Sequence, residues 1–197
     1  MRKGIATILI LTTINTIGGY TLYQDQADER SFSLIEYIET HDIDSYSDFI
    51  DVINTNTSYS YDEIDISDVE IDSFNIEIDY DTHLVEVLVV SHTATRATGA
   101  HGEASKDYYS DAGTKVFTVN VSGDFSYSTG FCNVTSSSGS FTKPSYSTWT
   151  SSPTITSGHI TTTKAYVRIY GIARTIGNSK SYTLTLTCDD SGNFSSY

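Results

Sequence analysis

One stretch limits the fold more than any other. From Lys115 to Tyr127 (KVFTVNVSGDFSY), Phe117, Val119, Val121, Phe125 and Tyr127 fall on odd positions, with Thr118, Asn120, Ser122, Asp124 and Ser126 between them. A period of two puts one row of side chains in a core and the other in water. Gly123 sits on the apolar row, and a residue without a side chain there marks a bulge or bend where another part of the chain comes close. The stretch predicts a long, bent antiparallel strand with a partner on each side.

The rest of the chain extends this pattern. Ser33 and Glu36 have capping-box spacing, and Phe32 with Tyr37 has that of a hydrophobic staple. They predict a short helix ending near Thr40. Asp44 or Ser45 can cap a second helix, in which Tyr46, Phe49, Ile50 and Ile53 recur at helical spacing. Helices of two or three turns do not persist alone in water, so these must lean on something. From residue 62 the period changes to two. Phe74, Ile76, Ile78 and Tyr80 alternate, Tyr80 to His83 reads as a hairpin turn, and Leu84 to Thr95 returns. In that return strand Leu88 and Val90 join Val85, Val87 and Val89, so both faces are apolar and the helices are the expected cover for one of them.

Ser110 to Gly113 is a second hairpin connection, with glycine where a positive φ is needed. Residues 133–163 are crowded with Ser and Thr and read as short strands and loops, with Pro144 and Pro153 confining strands to edges. Ala165, Val167, Ile169 and Ala173 alternate, Gly177-Asn178 forms the last expected turn, and Tyr182, Leu184, Leu186 and Cys188 form the expected closing strand. Seven or eight strands without crossover helices predict an antiparallel β-sandwich, Ig-like in general shape, with a short acidic helical segment before it. The expected organisation is a signal peptide at 1–19, the acidic helical segment at 24–60 and the sandwich at 61–197.

Arg2 and Lys3 precede the uncharged run Ile5 to Ile17. That run is short for a membrane span and suits a secretory signal, with an uncleaved N-terminal anchor as the alternative. No stable membrane span is expected once it is removed. In an exported chain Cys132 and Cys188, the only two cysteines, are most simply one disulfide, the alternative being two buried thiols. Net charge is −14, and residues 25–82 hold 18 acids against one arginine. Nucleic acid is therefore excluded as a partner, because phosphate neutralisation needs a basic face.

The segments Ser105 to Ser128 (SKDYYSDAGTKVFTVNVSGDFSYS) and Thr183 to Ser195 (TLTLTCDDSGNFS) resemble small exported β-rich proteins of Gram-positive bacteria. The resemblance spans about residues 100–195 and implies a fold and an extracellular location. It transfers no catalytic residue.

Candidate chemistry is thin. Asp62, Glu63, Asp65, Asp68, Glu70 and Asp72 are dense enough for Ca²⁺, but no calcium-loop spacing is present and a solvated acidic face explains them. The five histidines show no metal-ligand spacing, and no serine sits in a nucleophile elbow. No catalytic residue, metal or cofactor is expected. Tyr108, Tyr109, Tyr146 and Trp149 lie in or near turns, where exposed rings suit sugar or protein surfaces; the competing reading puts them in the core. The function expected from the sequence is a secreted, non-enzymatic binding or surface-interaction module for carbohydrate or a surface protein. A secreted hydrolase or a membrane-active β-protein is the alternative.

Overall fold

The computed structural model describes residues 32–57, 70–96 and 99–197. The expected signal segment and most of the acidic cluster at 62–72 lie outside the described residues. Two helices come first, α1 (Leu34–Thr40) and α2 (Tyr46–Asn56). Among the described residues nine strands follow: β1 (Glu70–Asp79), β2 (Leu84–Arg96), β3 (Gly99–Ser110), β4 (Lys115–Ser128), β5 (Phe131–Thr142), β6 (Thr154–Thr161), β7 (Lys164–Thr175), β8 (Asn178–Asp189) and β9 (Phe194–Ser196). They form two antiparallel sheets, ordered β1-β2-β3-β4-β5 and β6-β7-β8-β9. Neighbours in each sheet are neighbours in sequence, so each is an up-and-down meander. The Greek-key connections of an Ig domain are not used.

β4 pairs with β3 on one side and β5 on the other. Its odd row, Phe117, Val119, Val121 and Phe125, is buried against Val167, Ile169, Leu184 and Leu186 of the second sheet. Gly123 is the point of closest approach: a Cβ there would stand 2.7 Å from Val167 Cγ2 and 3.1 Å from the Ser136 carbonyl. Register with β5 shifts at the next residue, which supplies the expected bend.

β2 serves two cores. Leu84, Leu88 and Val90 face the second sheet, while Val85, Val87 and Val89 face the helices. Ser33 Oγ accepts from Glu36 N at 3.1 Å and caps α1; Ser45 caps α2 in the same way. Tyr46, Phe49, Ile50 and Ile53 are all buried against Val85, Val87 and Tyr109. The helices therefore form a third layer on the outer face of the first sheet. Phe49 meets Tyr109 edge-on at 5.1 Å. No helix among the described residues is long and apolar enough to cross a membrane.

Three expectations need correction. Residues 131–142 form one twelve-residue strand instead of short pieces, because β4 offers a full-length partner. The chain does not close at β8: a turn held by Asp189 leads to β9, which adds to the sheet edge. Cys132 and Cys188, from opposite sheets, are both fully buried and lie 4.0 Å apart, but they stand as free thiols and the expected bridge is not made.

Replacing Gly123 by alanine is expected to cost about 1–3 kcal/mol, because the added methyl overpacks the interface between the sheets. Thermal unfolding checks this, and an unchanged melting temperature would refute the close approach.

Candidate functional site

Three of the four candidate aromatics are unavailable to a ligand. Tyr108, Tyr109 and Trp149 are 1%, 0% and 7% exposed. Tyr108 stacks on Phe117 at 4.2 Å, and Trp149 packs against the same ring at 5.2 Å. Tyr109 lies under α2. Alternation decided this, since each occupies a core-facing position of a strand or its flank. Tyr146 alone is half-exposed, and its hydroxyl donates to the Lys115 carbonyl at 3.2 Å.

A group of exposed aromatics shares one surface, the outer face of the second sheet. In β7 Ala165, Val167, Ile169 and Ala173 point into the core, so Tyr166, Arg168, Tyr170, Ile172 and Arg174 point out. Cross-strand register extends this column into rows. Thr154, Tyr170 and Thr183 are opposite one another; so are Thr156, Arg168 and Thr185. Tyr197 completes the latter row by exchanging two backbone hydrogen bonds with Thr185. Arg168 is held in place: Nε donates to Thr185 Oγ1 at 3.0 Å, and its guanidinium lies 5.1 Å over the Tyr166 ring. Tyr170, Ile172 and Tyr197 are 41%, 39% and 62% exposed.

A groove of about 600 Å³ opens beside this column. Backbone pairing to β7 is made at Thr150 and again at Thr154 but skips the residues between, where Pro153 supplies no donor, and the groove opens there. Tyr170, Ile172, Arg174, Thr154 and Thr183 line it. At its base Gly171 leaves room for the Tyr182 hydroxyl, which hydrogen-bonds Ser151 Oγ at 2.8 Å. Ser151 Oγ also donates to the Ile172 carbonyl at 3.0 Å. The lining holds hydroxyls, aromatic and aliphatic carbon and one arginine, but no histidine or carboxylate. Such a surface can hold a polyhydroxylated ligand. Its lining holds no pair of carboxylates of the kind that flanks a scissile glycosidic bond.

Other polar groups on the molecule are structural in character. Glu86 interrupts the apolar inner row of β2 and is buried, bonded by Lys106 Nζ at 3.1 Å and by Lys180 Nζ. Lys180 reaches across from β8 and also donates to Asp79 Oδ2 at 2.5 Å, so one ammonium bridges the two sheets. Burial works to raise the Asp79 pKa, but the bonds from Lys180 and Thr82 outweigh it and hold the carboxyl down at about 2. On the opposite face of the first sheet, buried Asp107 accepts from Lys115 Nζ at 2.7 Å and from Thr118 Oγ1 at 2.5 Å. Two histidine–carboxylate pairs also appear, which spacing in the sequence could not show. His92 Nδ1 is 2.9 Å from Asp72, and His101 Nδ1 is 2.8 Å from Asp124. Each is a cross-strand neighbour pair, and neither lines the groove beside β7. Among the described residues no group of three or more His, Cys, Asp or Glu could hold a metal.

Comparison with known protein families, with curated proteins and with solved structures finds no match to this chain.

A carboxylate whose folded pKa lies below its unfolded one favours the fold above the unfolded value, and that contribution is lost as pH falls through the folded one. The Asp79 contribution is therefore complete above about pH 4 and is lost as pH drops toward about 2. Lys180→Met should be less stable than the parent at pH 6, and the difference should shrink between pH 4 and pH 2. A difference that stays constant across that range, measured by denaturant unfolding, would remove the bridge as a stabilising element.

Proposed function

We propose that the chain is an exported, non-enzymatic binding module that holds carbohydrate on the outer face of its second sheet. The observation that carries this reading is the exposed Tyr170 beside the hydroxyl-lined groove. A ring face and rows of hydroxyls match the two surfaces of a sugar, its C–H face and its hydroxyl edge. A lining without carboxylates supports retention of the ligand over its hydrolysis, which ordinarily takes a carboxylate pair. An extracellular location for this surface is the expectation that goes with the resemblance to small exported β-rich proteins of Gram-positive bacteria.

In an oxidising compartment the buried pair Cys132 and Cys188 closes into a disulfide. Each thiol loses its hydrogen to a disulfide-bearing exchange partner, which leaves as two thiols. Burial pushes both thiols up from their ordinary range, which leaves little thiolate in the folded protein. The exchange therefore belongs to folding, before the sheets close. Bridging residues so far apart in sequence would add about 4 kcal/mol in the chain-entropy model.

Two measurements test this. Retention of the purified protein on immobilised polysaccharides should fall about tenfold in Tyr170→Ala, the loss of one stacked ring at roughly 1.4 kcal/mol per decade. It should be unchanged in Tyr146→Ala, and no retention by any polysaccharide would refute the reading. Protein recovered from an oxidising compartment should be two hydrogens lighter than its sequence and resist alkylation after denaturation. Two alkylated thiols would show the pair stays reduced.

A further inference from the structure

Charge is divided between the layers of this molecule. Residues 125–188 contain no Asp or Glu and five Lys or Arg, in a chain whose net charge is −14. That span supplies β5, β6, β7 and nearly all of β8. The acids are concentrated in residues 25–82, which supply α1, α2 and β1 on the side of the first sheet. Two stacked sheets lie about 10 Å apart, and the Debye length at physiological salt is about 8 Å. The outer face of the second sheet is therefore screened from most of the acidic surface.

On that face the two cations stand in a patterned column. Arg168, Tyr170, Ile172 and Arg174 occupy successive outward positions of β7, roughly 6–7 Å apart at the rise of a strand. Among the described residues neither arginine has a carboxylate partner, whereas Lys106, Lys115 and Lys180 all do. Arg168 is already fixed by Thr185 and the Tyr166 ring. Arg174 is exposed and lines the groove, with its backbone locked to Thr150 by two hydrogen bonds.

We infer that the ligand of this face is an acidic polysaccharide with carboxylate-bearing sugar rings. This rests on the reading of the groove as a carbohydrate surface and goes beyond it by naming the charge of the sugar. The planar fork of arginine matches a carboxylate in two parallel hydrogen bonds, and two such forks flank a ring-stacking surface. The exposed ring between them selects a polymer built of sugar rings over a ringless polyanion. A polymer lying along β7 places its rings on Tyr170 and Ile172 and its carboxylates on Arg174 and Arg168. Each ion pair is made at an exposed face, so binding depends on salt.

The test measures affinity of the full chain, by calorimetry at physiological ionic strength, for three polymers. Polygalacturonate carries rings and carboxylates, its fully methyl-esterified form carries the same rings without charge, and polyacrylate carries carboxylates without rings. The expected result is binding to polygalacturonate at least tenfold tighter than to either control, weakening as salt is raised. Arg174→Gln should lose about tenfold toward polygalacturonate and nothing toward the ester, and Arg174→Lys should recover only part. Unchanged melting temperatures keep these effects separate from misfolding. Equal binding of the ester would overturn the acidic ligand while leaving the carbohydrate reading standing. Equal binding of polyacrylate would reduce the face to a plain ion exchanger and overturn the inference. Binding to none of the three would overturn it outright; retention on a neutral polysaccharide in the earlier assay then decides whether the carbohydrate reading survives.

Discussion

The contact between the odd row of β4 and the facing row of β7 and β8 holds this molecule together. Phe117, Val119, Val121 and Phe125 are closed off from water by Val167, Ile169, Leu184 and Leu186 across from them, with Trp149 against Phe117 and Phe194 against Phe125. Gly123 makes the approach possible at its tightest point. The first sheet then buries its second face under two short helices, whose five buried apolar side chains, Leu34, Tyr46, Phe49, Ile50 and Ile53, would otherwise be in water. The order of dependence runs from the sandwich to the helical layer.

That arrangement leaves one sheet face without a cover. The outer face of the first sheet takes the helices. The outer face of the second takes nothing among the described residues, and there the sequence changes character: Thr, Ser, Tyr and Arg replace the acids found elsewhere. A solvated sheet face needs only polar residues. Exposed Tyr170, Ile172 and Tyr197 together on one face exceed that need and are the reason for seeking a ligand there. The ion pairs of Lys106, Lys115 and Lys180 are internal to the fold and leave those three cations no role in such a site.

Much of the architecture was legible in the residues. The caps at Ser33 and Ser45, the turn at Tyr80 to His83 and the hairpin at Ser110 to Gly113, where Gly113 takes φ +72, all lie where local chemistry places them. The two-sided burial of β2 followed from an unbroken apolar run. The length of β5 did not, since its Ser-rich half has little strand preference of its own and is ordered by pairing to β4. β9 is three residues long and stabilised by a neighbouring edge, so composition carries no sign of it. Position near a turn left the exposed and core readings of the candidate aromatics both open, and pairing across a ladder decides for the core at Tyr108, which faces Phe117. The outward row of β7 was present in the same alternation that revealed its core row, and it is the feature that would have located the face.

Periodicity and capping are properties of adjacent residues, so the sequence alone determined that this chain is an antiparallel β-protein with two short capped helices, and which side chains of each strand share a face. Which faces meet, and which stays open, depends on pairings between residues far apart in the chain. Only the tertiary structure placed Lys180 beside Asp79 and Glu86, brought Cys132 to Cys188, buried Trp149 and left Tyr170 and Arg174 beside a groove. The physical reason is that burial is decided by what lies opposite a side chain, and nothing local to a residue specifies its opposite.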